Sequence, residues 1–228
     1  GYNVLICQSN ESVDKEIANT QTLISSRVDG IIASRTKHTE DFKHFRNIIN
    51  SRIPLVFFDR TCHGLNADKV IIDDYKAAYE ATEYLIGTGC KDLIHFSGPE
   101  NLKISAKRMW GFRDALKKHN LPYDESLVIK ADSFLEGKKE TEKLINAKRL
   151  PQGIFAVNDM TAAGAINALK GNNLKIPEDI SVIGFTNGLI STITDPPMTT
   201  VEQNGYLMGY QAAELLLKRI EQIDTPYI

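Results

Sequence analysis

At 228 residues the chain is longer than a typical single domain of about 100 to 150 residues and long enough for two lobes. Apolar residues make up 42% and charged residues 25%, ordinary globular usage that argues against disordered, collagen-like and coiled-coil classes. A net charge of -2, with 27 Lys and Arg set among 29 Asp and Glu, lacks the basic excess that a DNA-reading domain gathers on one face.

Taken in chain order, short apolar runs alternate with segments of helical period. A strand over 4–7 leads to a helix over 14–25, a strand over 28–33 and a helix over 39–50. Strands over 55–58 and 70–72 precede a helix over 75–86. Strands over 93–97, 127–129, 153–157 and 181–185 then alternate with helices over 104–119, 136–146 and 161–171, and a last helix covers 206–220. Several of these strands are apolar on both faces, as buried parallel strands are, so the predicted class is α/β with helices flanking parallel sheets. Asp74 and Asp159 are placed as N-caps, and Gly89, Gly171 and His119-Asn120 as left-handed C-terminal residues. Pro196 and Pro197 forbid helix and predict a stiff extended connection before Val201. Crossings between lobes are placed near Ile72 and Val201.

Several chemistries lose support. Cys7, Cys62 and Cys90 form no CxxC pair and are odd in number, which argues against a disulfide framework or a thiolate metal site and fits a reducing cytoplasm. There is no apolar run of about 18 residues, so no membrane span is expected. Gly87-Thr88-Gly89-Cys90 lacks the third glycine of a dinucleotide fingerprint and follows a helix. With no phosphate-loop lysine motif and no nucleophile elbow either, no cofactor, metal or enzymatic activity is expected.

Open parallel sheets bind ligands beyond the carboxyl ends of their strands. That rule selects Ser34-Arg35-Thr36, Asp59-Arg60, Ser97-Gly98, residues 132–134, Asn158-Asp159 and Thr186-Asn187, loops whose donors and acceptors suit a polyol-like molecule. His95, inside an apolar strand, reads as a hydrogen-bonded core histidine, and Trp110 as core or interface. The basic stretch from Lys107 to Lys118 reads as a solvated helix face.

The phrases Val28-Asp29-Gly30-Ile31-Ile32, Ala106-Lys107-Arg108-Met109-Trp110-Gly111-Phe112, Val157-Asn158-Asp159, Ile180-Ser181-Val182-Ile183-Gly184-Phe185 and Pro197-Met198-Thr199-Thr200-Val201 stand in an order and spacing that resembles the effector-binding core of the lactose-repressor (LacI/GalR) family. The resemblance implies two Rossmann-like lobes in a periplasmic-binding-protein-like clamshell, the first from residues 1–71 and 203–228 and the second from 72–202. It implies a small, sugar-like effector between the lobes, a homodimer, and operator DNA bound through a headpiece that is not in this sequence. The family pattern also continues beyond Ile228 with a strand and helix, which would leave the first lobe incomplete.

The family's ligand-binding arginine falls on Arg108, whose alternative is a solvated helix-surface arginine. Asn158 and Asp159 match its Asn-Asp pair, with helix capping the alternative for Asp159. Thr186, followed by Asn187, stands where sugar-binding members carry an aspartate, so a charged acceptor for hydroxyls is missing. Asp59 and Arg60 either face the ligand or pair with each other and Asp73. Phe134 either stacks on a ligand or packs in the core, and Ser34 and Gln203 complete the candidate set. The rivals to a regulator are an exported sugar-binding protein of a transporter and a Rossmann-type enzyme.

Overall fold

The computed structural model describes residues 1–221 and residue 227, which divide into two compact units: Gly1–Ile72 with Gly205–Ile228, and Asp73–Asn204.

The first unit is built on a three-stranded parallel sheet, β1 (Ile31–Ala33), β2 (Leu55–Phe58) and β3 (Asp68–Val70), in that order. Side chains of β2 alternate between faces. Leu55 and Phe57 join Phe45 and Ile48 of α2 (Lys43–Asn50), with Leu23 and Ile24 of α1 (Val13–Ser25) packed against them. Val56 instead meets Met208 and Ala212 of α8 (Gly205–Ile220). Two helical layers thus explain why β2 is apolar at every position. β3 begins two residues earlier than expected, because its first residue is a charge: Asp68 is fully buried, and Arg219 of α8 grips it at 2.7 and 3.0 Å.

Residues 4–7, expected as a strand, form none, and Val4 and Ile6 are 81% and 91% exposed. The ladder of β1 runs only to β2. Apolar spacing without a neighbouring strand to share hydrogen bonds does not make a strand.

The second unit carries a five-stranded parallel sheet made of β4 (Leu93–Ser97), β5 (Val128–Lys130), β6 (Gly153–Ala156), β7 (Ser181–Thr186) and β8 (Thr199–Glu202), in the order β5-β4-β6-β7-β8. The helices α3 (Asp74–Gly87), α4 (Lys103–Lys118), α5 (Phe134–Asn146) and α6 (Asp159–Gly171) are joined by a short α7 (Leu189–Ile193). α7 has too few residues to show a helical period. β8 lies where an extended connection was expected: Pro196 and Pro197 precede it, and the run Thr199-Thr200-Val201 pairs with Gly184 and its neighbours on β7.

α4 crosses α3 closely. A Cβ on Gly111 would stand 2.4 Å from the carbonyl oxygen of Tyr75, so only glycine fits there. One side of α4 buries Arg108, Phe112 and Ala115, while Lys117 and Lys118 stay exposed as expected. Trp110 is 44% exposed, so it is not a core residue. Gly89 and Asn120 take left-handed conformations, but after α6 that role passes from Gly171 to Asn173.

His95 is fully buried, stacked on Phe155 and beside Phe112, with Nδ1 2.9 Å from the Phe155 carbonyl oxygen and Nε2 without a partner. Burial lowers it to about 4, against the hydrogen bond to Phe155, which raises it. The folded state therefore keeps His95 neutral while the unfolded chain protonates it at about pH 6.5, so stability falls as pH drops from about 6.5 to about 4. That loss is about 3 kcal/mol. His95→Phe is expected to flatten this part of the pH profile in urea denaturation between pH 4.5 and 7.5; an unchanged slope would assign the pH dependence to other groups.

Candidate functional site

In the five-stranded sheet the chain leaves β4 for β5 on one side and returns through α5 to β6 on the other. The strand order therefore reverses between β4 and β6, and in open parallel sheets the carboxyl ends of the strands at such a reversal are where ligands bind. Arg108 belongs to this edge. It is 3% exposed, so the solvated-arginine alternative fails. Its Nε and Nη2 donate to one oxygen of Asp74 at 2.8 and 2.7 Å, its Nη1 donates to the carbonyl of Val157 at 2.6 Å, and its guanidinium lies 3.6 Å from the ring centre of Phe185. A cation is thus held at the end of β6 by an ion pair, a carbonyl and an aromatic face.

Two helix starts use the same short pattern. Asp73 and Asn158 are the N-caps of α3 and α6, accepting from the amides of Lys76 and Thr161. The caps expected at Asp74 and Asp159 therefore stand one residue earlier. A cap residue keeps non-helical backbone angles and bends its side chain over the first turn, whereas the first helical residue points away from it. That leaves Asp74 and Asp159, both buried, to bind other elements: Asp74 takes Arg108, and Asp159 accepts from the amide of Gly188 at 2.8 Å and the hydroxyl of Thr200 at 2.5 Å. Gly184 makes room for it, since a Cβ there would stand 2.4 Å from Oδ1 of Asp159. Asn158 also donates to the Asp132 carbonyl at 3.0 Å, tying the loop after β5 to the one after β6.

Thr186 ends β7, exposed, with φ at +136°, a conformation that a β-branched residue rarely adopts. Its carbonyl accepts from the amide of Gln203 at 3.4 Å. Asn187 is also left-handed and binds Glu202 and Ser191 through its side chain. Strain of this kind collects where a ligand or a switch requires it. Phe134 opens α5 and packs against the core of this unit, half-buried. Sequence reasoning missed Ser105, one turn before Arg108 and 2% exposed, because a serine in an amphipathic helix carries no signal of its own.

In the first unit, Ser34 follows β1 and is half-buried, and Asp59 and Arg60 follow β2. Arg60 binds Glu11 at 2.6 Å and stands 4.0 Å from Asp59, while Asp73 is engaged as a helix cap. The other carboxylate oxygen of Glu11 takes the amide of Lys37 at 2.7 Å. Glu16 receives the amide of Thr36, the hydroxyl of Thr39 and a hydrogen bond with His44. Burial pushes the Glu16 carboxyl up, but those hydrogen bonds outweigh it and hold it below its ordinary value. Two acids near the start of α1 thus fix both loops, a role that their sequence positions do not reveal.

Among the described residues no helix is long and apolar enough to cross a membrane, and no three side chains are grouped as metal ligands. A family model described as a periplasmic binding protein-like domain matches residues 82–227. The HTH-type transcriptional repressor PurR of Actinobacillus pleuropneumoniae serotype 3 (strain JL03) is 32% identical over 228 residues, covering 100% of this chain and 67% of that protein. The chain thus spans about two thirds of the length of such relatives. Among solved structures, the transcription regulator CcpA of Lactococcus lactis aligns with a TM-score of 0.90 at 30% identity, over 100% of this chain and 83% of that one. A periplasmic binding protein/LacI transcriptional regulator from Alkaliphilus metalliredigens QYMF, complexed with D-xylulofuranose, aligns with a TM-score of 0.83 at 30% identity, over 99% and 82%.

The burial of Arg108 changes what its removal should do. From sequence, Arg108→Ala is expected to spare the fold; with Asp74 buried opposite, it instead leaves an uncompensated charge and costs about 3 to 5 kcal/mol. Urea denaturation should show that loss, and Asp74→Asn combined with Arg108→Gln should recover part of it. Thr186→Gly should raise stability by about 1 kcal/mol by relieving the backbone, a gain read as a higher melting temperature.

Proposed function

Because the chain belongs to the lactose-repressor (LacI/GalR) family of transcription regulators, as its effector-binding domain, we propose that it senses a small polar effector, a sugar or sugar derivative, at the carboxyl edge of the five-stranded sheet. The observation that carries this reading is Arg108, a buried cation held rigid at the strand-order reversal. A guanidinium has five N–H donors in fixed geometry, so it can serve Asp74, Val157 and ligand oxygens together, with its rotamer cost already met.

Asn158, Thr186 and Asn187 sit on adjoining loops of the same edge and are the proposed hydroxyl-binding partners, with Gln203 beside Thr186. Asp159 acts by holding Gly188 and Thr200 in place, and Phe134 by packing. From the first unit the proposed contacts are Ser34, Asp59 and Arg60, on loops braced by Glu11 and Glu16. The sugar complexed in the Alkaliphilus neighbour supports this ligand class.

Such an effector acts on operator DNA only through a difference in its affinity for two states of the regulator, expressed through a headpiece outside this chain and, in a homodimer, through the spacing of DNA half-sites. A cytoplasmic location belongs to this reading. The relatives are transcription regulators, which weighs against an exported transporter component and against an enzyme.

A thermal-shift screen of the chain over sugars and nucleobases tests the proposal. Arg108→Lys keeps a positive charge opposite Asp74 but loses the fork, so it should fold with a melting temperature a few degrees lower and lose the ligand-induced shift. A ligand whose shift survives in Arg108→Lys would place the effector elsewhere.

A further inference from the structure

The two sides of α4 have different chemistry. Ser105, Arg108, Phe112 and Ala115 lie on the side that is buried in the unit. On the opposite side Lys103, Lys107, Trp110, Asp114 and Lys117 follow one another at alternating steps of four and three residues, which keeps them on a single line along the helix. A face that only meets water needs neither a large apolar side chain nor uncompensated charge, and this one has both.

Trp110 stands in the middle of the line and is 44% exposed. A tryptophan buries a large apolar area when it is covered, and at protein interfaces it is among the residues that most often carry the binding energy. Tyr75 of α3, 36% exposed, adjoins the same stripe, its hydroxyl donating to Asp114 at 3.2 Å.

The lysines supply the charge. Lys103, Lys117 and Lys118 are exposed and Lys107 is half-buried, and none of the four forms an ion pair among the described residues. Acids at or beside the helix are already engaged: Asp114 accepts from Nε of Arg113 at 2.8 Å, Glu83 meets His119 at 2.8 Å, and Glu100 meets Lys130 at 2.7 Å. The result is a local excess of positive charge in a chain whose net charge is -2.

We propose that the outer face of α4 docks an acidic amphipathic segment of another protein, a helix whose carboxylates pair with Lys103, Lys107 and Lys117 and whose apolar residue covers Trp110. The sign of the charge selects the partner and steers its approach, while the tryptophan, rimmed by charged side chains, provides the apolar contact. From Lys103 to Lys117 the stripe runs about 21 Å, so a partner helix of about four turns matches its length. None of these residues is among those proposed to bind the effector, so this face and the effector site stand or fall separately.

Trp110 is the only tryptophan of the chain and therefore reports directly on its own face. Titration with a synthetic helical peptide of glutamate and leucine should move its fluorescence to shorter wavelength and saturate below about 1 mM peptide. Raising salt from about 0.05 to about 0.5 M should weaken the binding, and the same peptide with lysine in place of glutamate should not bind. Lys103→Glu combined with Lys117→Glu, followed by fluorescence, and Trp110→Ala, followed by titration calorimetry, should each weaken binding at least about tenfold. Melting temperatures should stay unchanged in both variants, because the altered side chains are exposed. The absence of a fluorescence shift at about 1 mM peptide, or an affinity untouched by either variant, overturns the proposal. So does tighter binding of duplex DNA than of the peptide, which would make the stripe a nucleic-acid contact instead.

Discussion

The buried pair of Arg108 and Asp74 is the constraint around which the second unit is arranged. A guanidinium removed from water loses far more solvation than one contact can return. The structure meets that loss with a carboxylate at the start of α3, a carbonyl at the end of β6 and the ring of Phe185 on β7. Three elements must therefore hold their relative positions for the ion to be tolerated. Gly111 belongs to the same arrangement, because α4 delivers Arg108 to Asp74 only if the two helices approach too closely for a side chain at that point.

A buried charge of this kind adds little net stability compared with well-packed apolar residues, so its presence invites a functional explanation. Rigidity is the property it confers. An arginine that already sits in one rotamer against an aromatic face presents its donors to a ligand without further ordering, and the neighbouring loops are pinned by the same economy of parts. Asn158 caps α6 while reaching the loop after β5, and Asp159 holds both Gly188 and Thr200. Against this fixed background one feature stands out as energetically costly, the strained backbone of Thr186. It lies at the carboxyl end of β7.

The first unit solves a similar problem with acids rather than arginine. Glu16 is buried and receives hydrogen bonds from a backbone amide, a hydroxyl and an imidazole, and Glu11 joins Lys37 of one loop to Arg60 of the next. Both loops follow strands of the three-stranded sheet. Their geometry is thus set by Glu11, just before α1, and by Glu16 within it, neither of which is a candidate ligand residue.

By itself the sequence determined the α/β class, most of the strand and helix positions, and the set of loops that end the strands, because apolar periodicity and turn residues act locally. It also carried the family resemblance, through the order and spacing of short phrases. What it did not determine are features that depend on a neighbour distant in the chain. Residues 4–7 look like a strand but pair with none, whereas Thr199–Glu202 follows two prolines and still joins a sheet, because strand formation needs an open edge to bond to. Asp74 and Asp159 look like caps, yet each is displaced from that role by the residue before it and claimed by a partner on another element. Arg108 was legible as the match to the family's ligand-binding arginine but not as a buried residue, since burial of a charge is decided by whether the tertiary structure brings it a counter-charge, and here Asp74 lies 34 positions away.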